Sequence, residues 1–428
     1  MTLTLLLWMG LEVSARQQMK KMDAKADAFL QHPMAQSTTK NDSAQTLEQL
    51  VSKLGFGVVG MNDATTPKPD PVKAEEFAVI SKDLRNYTQA QSTKVQGPLD
   101  PIPENLQAYL NNNQQAIADI EAYLRSDEIP LWDFDAETAA DFSYAMPSFL
   151  STVQLQRLLL LKAIDSSQQK KITDMVSTLE AVQGLSKLMD QRPELIGYLV
   201  NLISLSLASG TIRHLENVPV SVSSHLMERD QMAAAVDYLN FENWMTYKAW
   251  IKLTANPVDL SEELGYEPSF WERAIEYLPD SYLQLSGTDI AKRSDNAYAQ
   301  LPELTVCSIA SIEEAESQLG LKAPWWNVVG QVAMGGYLPQ WQKGGQRMLE
   351  AELTHHVVQA KALAADQGEW PETLPNLQSA TCPNETWAYE VTPNGTMTLS
   401  FSHSLDLYNA ERHVPLKYEA TLAQALSQ

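Results

Sequence analysis

Apolar residues recur at helical spacing over most of this chain. From Pro103 to about Leu319 the period is helical almost throughout. PENLQAYLNNNQQAIADIEAYL sets Leu106, Leu110, Ile117, Ile120 and Leu124 on one face, behind a proline that a helix tolerates in its first turn. FLSTVQLQRLLLLKAI and KKITDMVSTLEAVQGLSKLM then follow one another across Asp165-Ser166-Ser167, which reads as a helix stop and N-cap. In the second, Ile172, Met175, Leu179 and Val182 form the single stripe that burial on one side requires. The pair predicts an antiparallel helical hairpin. Further helices, Glu194 to Leu215 and His225 to Leu239, are expected to continue the stack.

Two apolar stretches need separate weighing. Leu195 to Ile212 carries no charge and, at about 18 residues, meets the lower limit for a membrane span. It contains Asn201, Ser204, Ser206, Ser209, Gly197 and Gly210 and lacks a flanking aromatic and basic belt, so a helix buried on all sides is expected instead. The other stretch is Met1 to Leu11, uncharged and followed without a turn signal by Arg16, Lys20, Lys21 and Lys25. At about 1.5 Å per residue it covers only half of a ~30 Å hydrocarbon core. Three readings fit it: the remaining half of a membrane anchor, a signal peptide ending near Val13-Ser14-Ala15, or an ordinary helix from Leu3 to Phe29.

Residues 31–102 read differently. HPMAQSTTKNDSAQ, NDATTPKPDP and QAQSTKVQGPLDPIP are dense in Gln, Ser, Thr, Asn, Asp and Pro, with two short helical stripes between them. One carries Leu47, Leu50, Val51 and Leu54, the other Phe77, Ile80 and Leu84. A membrane-proximal polar stalk with short helices, or a loosely packed cover, is expected there, and no domain.

The last third changes again. Trp325-Trp326 and the pairs Gly335-Gly336 and Gly344-Gly345 lead to a long helix, expected from about Gln346 to Asp366 and stopped by Gly368 and Pro371. Trp387 to Val391, Pro393-Asn394-Gly395 and Thr396 to Phe401 then give the alternation and Asn-Gly turn of a β-hairpin. The expected fold is therefore mainly α. It comprises a helix at 1–30 (anchor or signal), the stalk at 31–102, a body of antiparallel helical hairpins at 103–320 (a tetratricopeptide-like array or a bundle), and a small α+β tail at 321–428.

The unit from His355 to Ser402 resembles the tail of bacterial type II pseudopilin-like proteins and of uncharacterised, membrane-anchored bacterial helical proteins. In those, a long helix ends in Gly-x-aromatic-Pro-x-x-Leu before a short sheet, carried here by Gly368, Trp370, Pro371 and Leu374. The helical body, LQRLLLLKAIDSS through RPELIGYLVNLISLSLASG, is similar to the second group. The resemblance implies membrane attachment through the N-terminus and no particular activity. The prepilin-type processing site is absent, and the helix beside the tail is internal.

Composition narrows the partners. The 428 residues are 44% hydrophobic and 8% aromatic, enough for sizeable cores, with a formal net charge of -22. Such a body is repelled by phosphate backbones, so nucleic acid is excluded as a partner. Cys307 and Cys382 either pair in an oxidising compartment, closing a loop worth about 4 kcal/mol in the chain-entropy model, or serve as two small apolar side chains.

Candidate chemistry is thin. Gly55 to Gly60 matches G-x-G-x-x-G but follows a helix and precedes Pro-rich coil, so no nucleotide site is expected. Glu352-x-x-His355 has di-iron spacing without its second copy, and Asp133, Asp135 and Glu137 lack the glycine and distal glutamate of a calcium loop. No metal or cofactor is expected. Trp325, Trp326 and Trp341, near glycines, are the candidate aromatic binding surface; the alternative places them in the core. The expected function is a membrane-anchored or exported binding or scaffolding module of the bacterial envelope, its body outside the cytoplasm and a protein or envelope component its partner. An envelope hydrolase with an unrecognised site and a soluble cytoplasmic helical protein are the alternatives.

Overall fold

A computed structural model describes residues 2–32, 35–59, 66–141, 147, 149–255, 279–309, 311–333, 337–402 and 415–422. Its described helices are α1 (Thr2–Phe29), α2 (Asp42–Ser52), α3 (Pro71–Ser92), α4 (Glu104–Asn112), α5 (Gln114–Leu124), α6 (Ala136–Ala139), α7 (Leu150–Gln168) and α8 (Ile172–Met189). They continue as α9 (Leu195–His214), α10 (Val220–His225), α11 (Gln231–Ala255), α12 (Asp280–Tyr298), α13 (Ile312–Gln318), α14 (Val328–Ala333) and α15 (Leu338–Gln367). Strands β1 (Trp387–Val391), β2 (Thr396–Phe401) and β3 (Lys417–Thr421) form one antiparallel sheet in that order. The protein is thus mainly helical with a small β-containing tail.

The hairpin of α7 and α8 forms, but its turn lies later than Asp165-Ser166-Ser167. Asp165 and Ser166 are buried inside α7, and the chain reverses at Lys170, whose φ of 59° lets the Lys171 amide return to Ser166 O at 2.8 Å. The single stripe expected across Pro103 to Leu124 is two helices. Asn113 breaks it, its Nδ2 donating to Tyr109 O at 2.9 Å.

Around α9 the helices make a bundle: α3, α7, α8, α11 and α15 all pack on it. It is the one described helix long and apolar enough to cross a membrane, and 72% of its apolar window is buried inside the protein. One core joins α2 to α9 with Ala351 and Val358 of α15. A second joins α9, α11, α12 and the start of α15, and a third joins α15 to the sheet.

Two boundaries differ from expectation, and the first helix packs on the body. The described residues among 42–102 are no stalk: Leu47, Val51, Leu54 and Leu84 are all fully buried in the main core, because each short stripe meets α5, α7 or α9. Asn41 and Asp70 cap these helices through Ala44 N and Val72 N at 2.9 and 2.8 Å, giving polar residues a local task that composition conceals. The long helix starts at Leu338, not Gln346, and runs through Gly344-Gly345. A Cβ at Gly344 would sit 2.6 Å from Tyr198 Oη and 2.7 Å from Gln231 O, so these glycines permit close helix packing instead of a break. Finally, Met22 and Ala26 of α1 bury against Trp244, Tyr247 and Ala291 of α11 and α12. The side chains of residues 1–12, 14 and 15, on which the anchor and signal readings rest, lie outside those described.

In the tail the hairpin holds the expected strands, paired from Trp387 opposite Phe401 to Val391 opposite Met397. Tyr418 and Ala420 of β3 complete its buried face. Glu419 N donates to Val95 O at 2.8 Å, which ties the sheet to the segment after α3.

Candidate functional site

A concavity of about 540 Å³ lies between the segment after α5 and the C-terminal half of α8. Its floor is a backbone contact: a Cβ at Gly184 would sit 2.0 Å from Leu124 O. Beyond Leu124 the chain leaves α8 and is held outward by Asn41, whose Nδ2 donates to Ile129 O at 2.9 Å and whose Oδ1 accepts from Leu131 N at 3.1 Å. Tyr123, Ile129 and Leu188 supply apolar wall, Glu128, Glu180 and Asp190 negative charge, and Arg125 and Lys187 positive charge. Ile129 is 56% exposed there.

A smaller lobe of about 170 Å³ adjoins it across α8, and Gln183, Lys187 and Asp190 line both. Asp190 follows α8 as its C-terminal cap residue and stands between the lobes. Its carboxylate accepts from Asn201 Nδ2 at 2.7 Å and is ion-paired with Arg229. Burial pushes the Asp190 carboxyl above its ordinary range, while Arg229 and Asn201 pull it back. Arg229 lies over the Tyr238 ring at 5.7 Å, Tyr238 stacks on Tyr198 at 4.8 Å, and Tyr198 Oη donates to Gln231 O at 2.7 Å. The lobe's charged wall is therefore held from behind by aromatic packing. Asn201 Oδ1 and Gln231 Oε1, on two of its lining residues, are buried without a hydrogen-bond partner among the described residues. Two unmatched acceptors beside a carboxylate favour a group that brings N–H or O–H donors.

The residues singled out from sequence fall elsewhere. Cys307 and Cys382 are disulfide-bonded, Cα–Cα 5.9 Å apart, and join the turn before α13 to the tail. The three tryptophans share no surface. Trp341 is 1% exposed in the second core, Trp325 is 86% exposed, and Trp326 is half-buried with its carbonyl accepting from Tyr282 Oη at 2.8 Å. Helical phase separates them: Trp341 lies on the face of α15 that meets α11, whereas Trp325 precedes α14.

Glu352 and His355 do not act together. Glu352 is buried and takes Ser379 Oγ, Thr381 N, Thr381 Oγ1 and Trp387 Nε1 at 2.7, 2.7, 2.6 and 3.0 Å, so its lone pairs hold the tail. His355 Nδ1 instead meets Ser223 Oγ on α10 at 3.2 Å. Asp133 accepts from Lys40 N at 2.8 Å, and Asp135 caps α6 through Thr138 N at 3.0 Å. Hydrogen bonds from Thr138 and then Ser37 hold the Asp135 carboxyl below its ordinary range. Among the described residues no group of three or more His, Cys, Asp or Glu is placed to hold a metal ion. After Gly55, Val58 and Val59 turn into the main core, and Gly60 lies outside the described residues.

Asp190, Asn201 and Arg229 escaped sequence reasoning, although Asn201 stood out as the one amide within an apolar helix. Its partner lies eleven positions away on the neighbouring helix, a distance no local pattern reports. No known protein family, curated protein or solved structure matches the chain.

Proposed function

We propose that this protein is a binding module of the bacterial envelope, membrane-attached or exported, whose ligand site is the two-lobed groove across α8. One observation carries the reading: two adjoining concavities meet at a carboxylate that is oriented by Asn201 and Arg229, beside acceptors that lack partners. Elsewhere, Glu350, Glu352 and the Arg192–Glu194 pair are consumed by internal contacts. The ligand is a protein segment or envelope component that offers donors to the inner lobe and an extended stretch to the outer one. The address is supported by the disulfide, a linkage that persists in oxidising compartments, and by the resemblance of the tail to those of anchored proteins.

A photoreactive residue placed at Gln183 tests this in intact cells, with one at Val79, 72% exposed on α3, as control. A discrete adduct is expected from Gln183 alone, weakened by the double charge reversal Lys187→Glu, Glu180→Lys. Equal adducts from both positions, or none from Gln183, would overturn the reading. Thiol trapping in the same cells should find Cys307 and Cys382 oxidised.

A further inference from the structure

A separate cavity of about 190 Å³ opens between α11 and α12, far from the acidic groove in chemistry. Its base is buried: Asn243, Tyr247, Gly287, Ala291 and Ser294. Its rim is half-buried: Thr246, Trp250, Ile290 and Tyr337. None of these side chains carries a formal charge at neutral pH. The aromatic walls are fixed from outside the cavity. Trp250 Nε1 donates to Leu283 O at 2.8 Å and Tyr247 Oη donates to Asp23 Oδ1 at 3.2 Å, while within the lining Asn243 Nδ2 donates to Ala291 O at 3.2 Å. Gly287 lets the indole lie against the α12 backbone, since a Cβ there would stand 2.2 Å from Trp250 Cδ1. The rings are thus set in place, Tyr247 edge-on to Trp244 at 6.2 Å and Tyr337 edge-on to Tyr298 at 6.3 Å, while all three aromatic side chains still line the cavity. A second, independent sign lies in the base: Ser294, 1% exposed, has its Oγ near the Tyr298 hydroxyl, and neither oxygen forms a well-aligned hydrogen bond among the described residues.

We infer that this cavity is a binding site for a small, uncharged, planar aromatic molecule with one polar substituent. Size sets the scale, because an apolar cavity of about 150 Å³ already accepts benzene. The uncharged lining excludes an ionised ligand, whose desolvation nothing here would offset. Tyr247, Trp250 and Tyr337 offer ring faces and edges, and Ser294 supplies a hydroxyl that lacks a well-aligned partner and can donate or accept.

Phenol and indole are the probes, benzoate the charged control, and the full chain the receptor. Calorimetric titration should give saturable one-to-one binding of phenol or indole, a rise in Tm with ligand concentration, and a change in tryptophan emission that Trp250→Phe removes. Benzoate should bind at least tenfold more weakly. Thr246→Trp, which fills the cavity from its rim, should weaken phenol at least tenfold; Ile290→Trp does the same from the other helix if the first variant fails to fold. Absence of saturable binding at millimolar phenol and indole would overturn the inference, as would equal affinity for benzoate or undiminished binding in both folded variants. The site stands apart from the groove across α8, so Lys187→Glu should leave phenol binding unchanged.

Discussion

Acidification should unfold this protein through two histidines that the fold keeps neutral. His214 ends α9 with its Nδ1 and Nε2 facing Gly97 O and Lys94 O at 3.2 and 3.0 Å, and His356 sits on α15 against Trp387; each is 6% exposed. Burial, then Lys361, drives His214 down to about 3, against the pull of the Lys94 and Gly97 carbonyls, to only one of which a neutral ring can donate. Burial, then His355, drives His356 down to about 4, with Glu352 opposing. Both folded values lie below the ~6.5 of an unfolded histidine, so protonation favours the unfolded chain. The stability tied to the neutral rings is therefore fully present above about pH 6.5 and is lost as the pH falls through the window toward 4 and 3. At about 1.4 kcal/mol per pH unit per group, going from pH 7 to 5 removes about 2 kcal/mol for each ring, or about 4 together, an order-of-magnitude figure comparable with much of a domain's stability. Asp190 and Glu242, whose carboxyls burial pushes up, work in the opposite sense, so the wild-type profile alone does not isolate the rings. The assay is urea denaturation of the wild type, His214→Gln and His356→Gln at both pH values. Each variant is less stable at pH 7, and its deficit should shrink by about 2 kcal/mol at pH 5. A deficit that does not change with pH refutes the neutral, buried assignment.

Three further outcomes follow from contacts in the fold. Reducing the Cys307–Cys382 bridge, or replacing both residues by Ser, should cost about 4 kcal/mol by denaturant titration, since the bridge closes a separation of 75 residues. Glu352→Gln brings an amide NH2 against donors from Ser379, Thr381 and Trp387, and should cost about 1–3 kcal/mol with faster amide exchange across 379–391; unchanged exchange there would show that the tail is held otherwise. Gly344→Ala forces Tyr198 and the Gln231 carbonyl apart and should cost about 1–3 kcal/mol in thermal denaturation, whereas Gly57→Ala, whose Cβ meets open space, should be near neutral.

Helix existence was legible where a stripe repeats within one element. Ile172, Met175, Leu179 and Val182 predicted α8, and Pro393-Asn394-Gly395 predicted the hairpin, because both patterns are local. Long-range packing was not legible. Leu47 and Phe77 sit in short stripes flanked by polar residues, and nothing near them says that α5, α7 and α9 are waiting to cover them. Gly344-Gly345 misled for the same reason: a glycine pair reads as a break unless the backbone pressed against it is known. The groove was invisible because Asp190, Asn201 and Arg229 come from three elements and match no catalytic spacing.

Composition alone makes α9 a candidate for lipid, and its polar side chains show why it packs in protein. Ser206 Oγ donates to Glu350 Oε2 at 2.9 Å, Arg347 pairs with Glu350, and Thr354 Oγ1 donates to Ser209 O at 3.0 Å. Arg213, fully buried, reaches Thr354 Oγ1 at 3.3 Å, Pro415 O at 3.2 Å and Glu350 O at 3.4 Å; burial lowers its pKa to about 10, leaving it charged at neutral pH. Each group would be costly in an apolar environment, and each finds its match at one register of α15. Sliding α9 by one turn, about 5.4 Å, would keep its leucines buried and strand Arg213 and Glu350 together. The apolar residues thus supply the drive to bury α9, and the few polar ones select the partner helix and its alignment. The same alignment brings His214 and Lys361 under Tyr418, so the tail closes over a helix pair already set in register.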